Sequence, residues 1–283
     1  MAKSIRTDLA LEAHKLSSAD GKEISGVAVS EYKRGGAAVT KVDVLNEQGE
    51  KAIGKAAGSY ITIECPGLKY GADEKEICAV IAGELGKMAD INENSLTLVA
   101  GLGNSGVTPD ALGVETVSHI MVTHHLKKHL KECLGNGISG VCAVTPGVLG
   151  TTGMETSETI KGIVSVLKPE LVIAVDALAS ADMSRVANTI QISNAGIQPG
   201  AGVGNDRAGI NSKTLGTNVI AIGVPTVTDA RNISDSVPSG EPLLVTTKDI
   251  DLVIKKCAEA IAGGINLALH KNITLEEISI FTG

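Results

Sequence analysis

An α/β chain built on an open, mostly parallel sheet with helices on both faces is what this sequence predicts, and three observations carry the prediction. Short, β-branched, nearly continuous apolar runs recur along the chain, each stopping at or beside Gly, Pro or Asp. Amphipathic stretches of helical period lie between or around them. The composition sets 33 Gly against one Phe, three Tyr and no Trp, which fits tight strand-to-loop turns and close packing of small side chains.

The apolar runs are Leu96–Gly101, Val141–Thr145, Leu171–Asp176 and Val219–Gly223. Continuous rather than alternating apolarity marks strands covered on both faces, as in parallel sheets. Helical spacing links Ile77, Val80, Ile81, Leu85 and Met88 before the first strand. It links Ile160, Ile163, Val164 and Leu167 between the second and third, after a capping box over Thr152–Glu155. Ile250, Val253, Ile254, Cys257, Ile261 and Ile265 repeat the pattern near the C-terminus. Such alternation implies right-handed crossovers. Ser25–Ile63 mixes alternating and Gly-rich stretches, which predicts a small antiparallel, β-rich N-terminal extension. Thr189–Asn211 predicts a short strand and then a Gly-rich loop insertion, of a length that marks a functional or a mobile loop. No linker or solenoid repeat divides the 283 residues, so one α/β domain over 1–283 is expected.

A formal net charge of −7 and only four aromatic residues argue against nucleic-acid binding through a broad basic surface or base stacking. The five cysteines are odd in number, well separated and without C-x-x-C, and read as buried thiols of a reducing compartment. No apolar segment of signal-peptide type opens the chain and no run reaches membrane-spanning length. An intracellular protein without a membrane partner is therefore expected.

Wound sheets bind ligands outside the carboxyl ends of their strands, so the residues after each apolar run are the ones to read for chemistry. Asp110 and Asp176 both stand in Asp-Ala-Leu-small sequences after such a run. A carboxylate at the rim of a low-dielectric core is costly unless partnered, and its pKa rises. Two of them brought close share one proton, giving an acid and a base that can activate water against a peptide carbonyl. Each Asp also fits a helix cap or turn. Asn104, Thr145, Thr151, Thr152 and Arg185 are candidate polar liners of the crevice, and fit capping roles as well.

The G-x-G-x-x-G of Gly101–Gly106 follows a strand and invites a dinucleotide reading, hence an oxidoreductase as the alternative of a different class. Against it, Val107-Thr108-Pro109 intervenes before a helix can begin, and no acidic residue ends a second strand about 20 positions later. His119, His124, His125 and His129 fall in one expected helix. His125 and His129 have zinc-pair spacing, but Leu-Lys-Lys between them leaves no H-E-x-x-H base, and neither metal nor cofactor is expected. There is no G-x-S-x-G elbow and no D-T-G.

Several long blocks then narrow the reading: GLGN at 101–104, VTPDALG at 107–113, PGVLGTTGMET at 146–156, VIAVDALA at 172–179, RVANTIQIS at 185–193, GIQPGAGVGN at 196–205 and VIAIGVPTVTDA at 219–230. In this order they resemble the germination protease family of spore-forming bacteria, from Ile5 to about Leu269. The resemblance implies an atypical aspartic endopeptidase on a phosphorylase/hydrolase-like fold, related to hydrogenase-maturation proteases, with the catalytic aspartates at Asp110 and Asp176. It implies small acid-soluble spore proteins as substrates, a homotetramer, and a place in the cytoplasm of the spore core. It also implies a zymogen whose N-terminal propeptide, approximately residues 1–12, is removed. The related maturation proteases suggest a metal-dependent endopeptidase as a second alternative. Three departures stand out: Ser105-Gly106 where an aromatic residue follows GLGN in the family, Val114 in place of Pro, and a short stretch between Ala230 and Leu243.

Overall fold

The computed structural model describes residues 6–18, 23–129, 136–200, 207–234, 236–238 and 243–282. Outside them lie Cys133, residues 201–206 of the Gly-rich stretch, five residues of the short 230–243 stretch, and residues 1–5 of the expected propeptide.

Nine strands form one sheet: β1 (Val27–Arg34), β2 (Ala37–Val44), β3 (Gly58–Glu64), β4 (Leu96–Gly101), β5 (Gly140–Val144), β6 (Leu171–Ser180), β7 (Thr189–Ser193), β8 (Asn218–Asp229) and β9 (Leu244–Val245). The helices are α1 (Ala10–Ser17), α2 (Glu47–Ile53), α3 (Glu74–Met88), α4 (Leu112–Ser118), α5 (His124–His129), α6 (Leu149–Thr152), α7 (Thr156–Leu167), α8 (Ser212–Leu215), α9 (Ala230–Ile233), α10 (Ile250–Leu269) and α11 (Leu275–Thr282). Among the described residues no helix is long and apolar enough to cross a membrane.

The sheet order is β1-β2-β3-β7-β8-β6-β4-β5, with β9 on β8. Only β8, β6, β4 and β5 run parallel. The expectation of a mostly parallel sheet is thus corrected to a mixed one. β7 enters antiparallel to both β3 and β8, and joins the antiparallel β1-β2-β3 ribbon to the parallel half.

Two-sided burial explains the continuous apolar runs. Along β6, Ile173 and Val175 face a core shared with α3, α4 and α10 through Ile81, Leu112 and Ile261. Val172 and Ala174 face the opposite core, with Ile160 and Val164 of α7 and Leu215 of α8. A third cluster seats α1 and α2 on the ribbon through Leu11, Ile53, Val42 and Tyr60. Cys65, Cys78 and Cys257 are buried free thiols.

Three local expectations change. The Thr152–Glu155 capping box does not form, because Thr152 ends α6 and its hydroxyl donates to the Val148 carbonyl. The histidine-rich helix is two helices, with His119 just past the end of α4 and the other three histidines in α5. Its break is tertiary: Met121 N–H goes to the Asn266 side chain and Thr123 N–H to the Val141 carbonyl. Finally, β6 and β8 do not stop at Asp176 and Gly223. They stay paired to Ser180 and Thr228, with a register shift at Leu178/Ala179.

Candidate active site

β4 ends at Gly101 while its neighbour β6 runs on, so one flank of β6 is left unpaired beyond that point, and Asp176 sits just there. The chain leaving β4 fills part of the gap. Leu102 N–H still reaches the Val175 carbonyl at 2.8 Å, and a single 3-10 turn, Thr108–Asp110, follows. Two glycines allow this fit. Gly103 has φ +100°, and a Cβ there would lie 1.9 Å from the Asp110 carbonyl oxygen. A Cβ on Gly113, in the first turn of α4, would lie 2.3 Å from the Val175 carbonyl oxygen. Both backbones approach too closely for any side chain.

The result is a cavity of about 380 Å³ lined by Asp110 and Asp176 together. Asp176 is 4% exposed, and its Oδ1 accepts from the Ala177 N–H at 2.9 Å. Burial, then the negative charges of Asp110 and Asp8, push its carboxyl well above the usual range. Burial also raises Asp110, while the Asn104 backbone N–H and the Arg207 charge pull it back. Burial thus raises both carboxyls, that of Asp176 the further. Leu102, Val107, Pro109, Val148, Val227 and Leu244 make the rest of the wall largely apolar.

Of the other candidates read from sequence, none is among the described residues lining this cavity. The Asn104 side chain accepts from Gly106 N–H, closing a local turn beside Asp110. Thr145 is exposed past the end of β5. The Thr151 and Thr152 hydroxyls both donate to the Val148 carbonyl. Arg185 lies on another surface, beside Glu12 at 3.7 Å and Glu64 at 3.5 Å. The Gly101–Gly106 run does not open a helix; it feeds the turn that carries Asp110, and α4 begins only at Leu112. Among the described residues no group of three or more His, Cys, Asp or Glu stands together as a metal cluster.

Two lining residues escaped the sequence reading: Arg207, after the Gly-rich stretch, and Asp8. Asp8 belongs to an N-terminal segment laid along the end of β6. Its N–H donates to the Ala179 carbonyl at 2.9 Å, and its Oδ2 accepts from the Ala179 N–H at 2.8 Å. Gln191 fixes the same segment from the other side, accepting from Ala10 N–H and donating to the Asp8 carbonyl. The Glu12 carboxylate accepts from the N–H groups of Ala181 and Asp182 at 2.7 and 3.0 Å. Lys55, its pKa lowered by burial against the opposing pull of Asp8 and Glu12, donates to the Thr7 carbonyl. A usable sequence signal was the pair of acids in Asp-Leu-Ala-Leu-Glu, four apart in an otherwise apolar stretch.

Comparison with known proteins adds the deciding observation: the model of the germination protease family matches residues 5–238. The chain belongs to that family. Among curated members, the germination protease of Clostridium tetani is 41% identical over 98% of this chain and 99% of its own length. That of Caldanaerobacter subterraneus subsp. tengcongensis is 45% identical over 97% of each chain. The Oceanobacillus iheyensis protein is 38% identical over 98% of this chain and 97% of its own. These alignments span 316 to 358 positions against 283 residues, so the relatives carry segments this chain lacks.

Proposed function

We propose that this germination-family protein is an endopeptidase of the atypical aspartic type that cleaves small acid-soluble spore proteins during spore germination. The observation that carries the reading is an unequal pair of carboxyls, Asp176 buried and Asp110 half-buried, lining one cavity. With one proton between them, Asp110 takes a proton from water as the water oxygen attacks the peptide carbonyl carbon. Asp176 gives its proton to the carbonyl oxygen, producing a neutral tetrahedral diol. Asp110 then passes its proton to the amide nitrogen, a diol hydroxyl gives its proton to Asp176 as the C–N bond breaks, and the pair is left with one proton, on Asp176, as at the start. The apolar wall excludes bulk water and strengthens the electrostatics of each step.

The same proposal covers the finer features of the family. The chain is a zymogen acting in the spore core, assembled as a homotetramer on a phosphorylase/hydrolase-like fold. Its N-terminal segment, bonded to Ala179 and carrying Asp8 into the cavity, supports the zymogen reading. Removal of that segment opens one end of the cleft to a substrate strand.

The test incubates the intact and N-terminally trimmed protein with a small acid-soluble spore protein and identifies fragments by mass spectrometry. Discrete fragments are expected from the trimmed form, with Asp110→Asn and Asp176→Asn folded but nearly inactive. Cleavage at the parental rate by either variant refutes the pair as the catalytic group.

A further inference from the structure

The cavity holds more negative charge than an acid–base pair requires. Asp8, Asp110 and Asp176 all line it, and Arg207 is the sole cationic side chain among its described lining residues. The other basic groups at this end of the sheet are engaged elsewhere: Arg185 with Glu12 and Glu64, and Lys55 with the Thr7 carbonyl. The chain just after Arg207 is fixed by the scaffold. Three residues on, Ile210 exchanges both backbone hydrogen bonds with Ile197, at 2.9 and 2.8 Å, and is fully buried. The next residue, Asn211, caps α8 by accepting from Lys213 and Thr214 N–H. Among the described residues no carboxylate lies within ion-pair distance of Arg207. The guanidinium shares the cavity with both carboxyls, and its charge opposes the rise of each.

We propose that Arg207 is a positioning residue of the site, the counter-charge that holds the Asp110–Asp176 pair in its singly protonated, singly negative form. The inference rests on the aspartic reading given above. Among the described residues, the charges facing the pair are Asp8 from the N-terminal segment and Arg207. A pair with one proton carries one negative charge, which Arg207 balances. Without Arg207 a second proton is taken up more readily, and a fully protonated pair has no base. Loss of the second proton is likewise delayed, so both limbs of the pH–rate profile move the same way, towards higher pH.

The experiment has two arms. In the first, kcat/KM for a small acid-soluble spore protein is measured against pH for the N-terminally trimmed forms of the parent, Arg207→Met, Arg207→Gln and Arg207→Lys. Both neutral variants are expected to shift both limbs up by about one pH unit, costing about tenfold in rate on the acid side, while Lys keeps the parental limbs. In the second, the full chain carries 13C-labelled aspartate carboxyls, and the pair's signals are those lost in Asp110→Asn and Asp176→Asn. Their titration midpoints shift up in the neutral variants and hold in Arg207→Lys, with no need for turnover. Limbs and midpoints unmoved in folded Arg207→Met and Arg207→Gln, with only the height of the profile lowered, overturn the role of Arg207. Parental cleavage by the two Asp→Asn variants instead sinks the aspartic reading beneath it, so the two failures are told apart.

Discussion

Replacing Asp176 by Asn should make the protein more stable as the pH rises, relative to the parent, while abolishing its chemistry. Asp176 is 4% exposed and its carboxyl is raised well above the ordinary 3.8 by burial and then by Asp110 and Asp8. At pH below 3.8 the folded and unfolded chains both hold this proton, and the group contributes nothing to the pH dependence. Above it, the unfolded chain releases the proton while the folded chain keeps it. Unfolding then binds fewer protons, and raising the pH favours the unfolded state. The loss runs at up to about 1.4 kcal/mol per pH unit and levels off where Asp176 itself ionises. Asn keeps the acceptor oxygen that meets the Ala177 N–H at 2.9 Å, but carries no titrating group. Urea unfolding of both proteins across a pH series gives the difference directly, because other titrations cancel. The difference should be constant under acid conditions and then turn steadily in favour of Asn. A flat difference from about pH 4 to about pH 7 would refute the buried, proton-holding carboxyl and the acid–base division built on it.

Two further substitutions test the scaffold. Gly103→Ala sets a Cβ 1.9 Å from the Asp110 carbonyl oxygen at φ +100°, and should cost about 3 kcal/mol in urea unfolding and displace Asp110, with greater loss of cleavage than of stability. Glu12→Ala strands the N–H groups of Ala181 and Asp182; it should cost about 3 kcal/mol and speed hydrogen exchange at those two amides, whereas parental exchange there would show that Glu12 does not hold the segment.

The parallel half of the sheet was legible because strands buried on both faces are apolar over continuous runs, as in Leu98–Gly101, Leu171–Val175 and Val219–Gly223, and even the half-buried edge strand β5 keeps such a run. Their extent was less so. Ala177, Leu178 and Ala179 are as compatible with a loop as with a strand, and only pairing to β8 extends β6 past Asp176. Strand order was not legible, and neither was the direction of β7, whose five residues are all buried and carry no sign of antiparallel partners. At the site, Asp110 and Asp176 stood out because each follows an apolar run. Asp8 and Arg207 did not, because what brings them to the cavity is the pairing of Asp8 with Ala179 and of Ile197 with Ile210. The threonines of α6 misled for the converse reason: their hydroxyls bond within their own turn.

The two carboxyls are mounted very differently. Asp176 is gripped within a ten-residue strand, its Cα partnered with Gly223 on β8. Asp110 hangs from one 3-10 turn, tethered through Asn104 and Val107 and dependent on the clearance at Gly103. The support of the two carboxyls is therefore lopsided. The sheet holds Asp176 from both strand directions, whereas a single turn and one glycine's clearance set the place of Asp110.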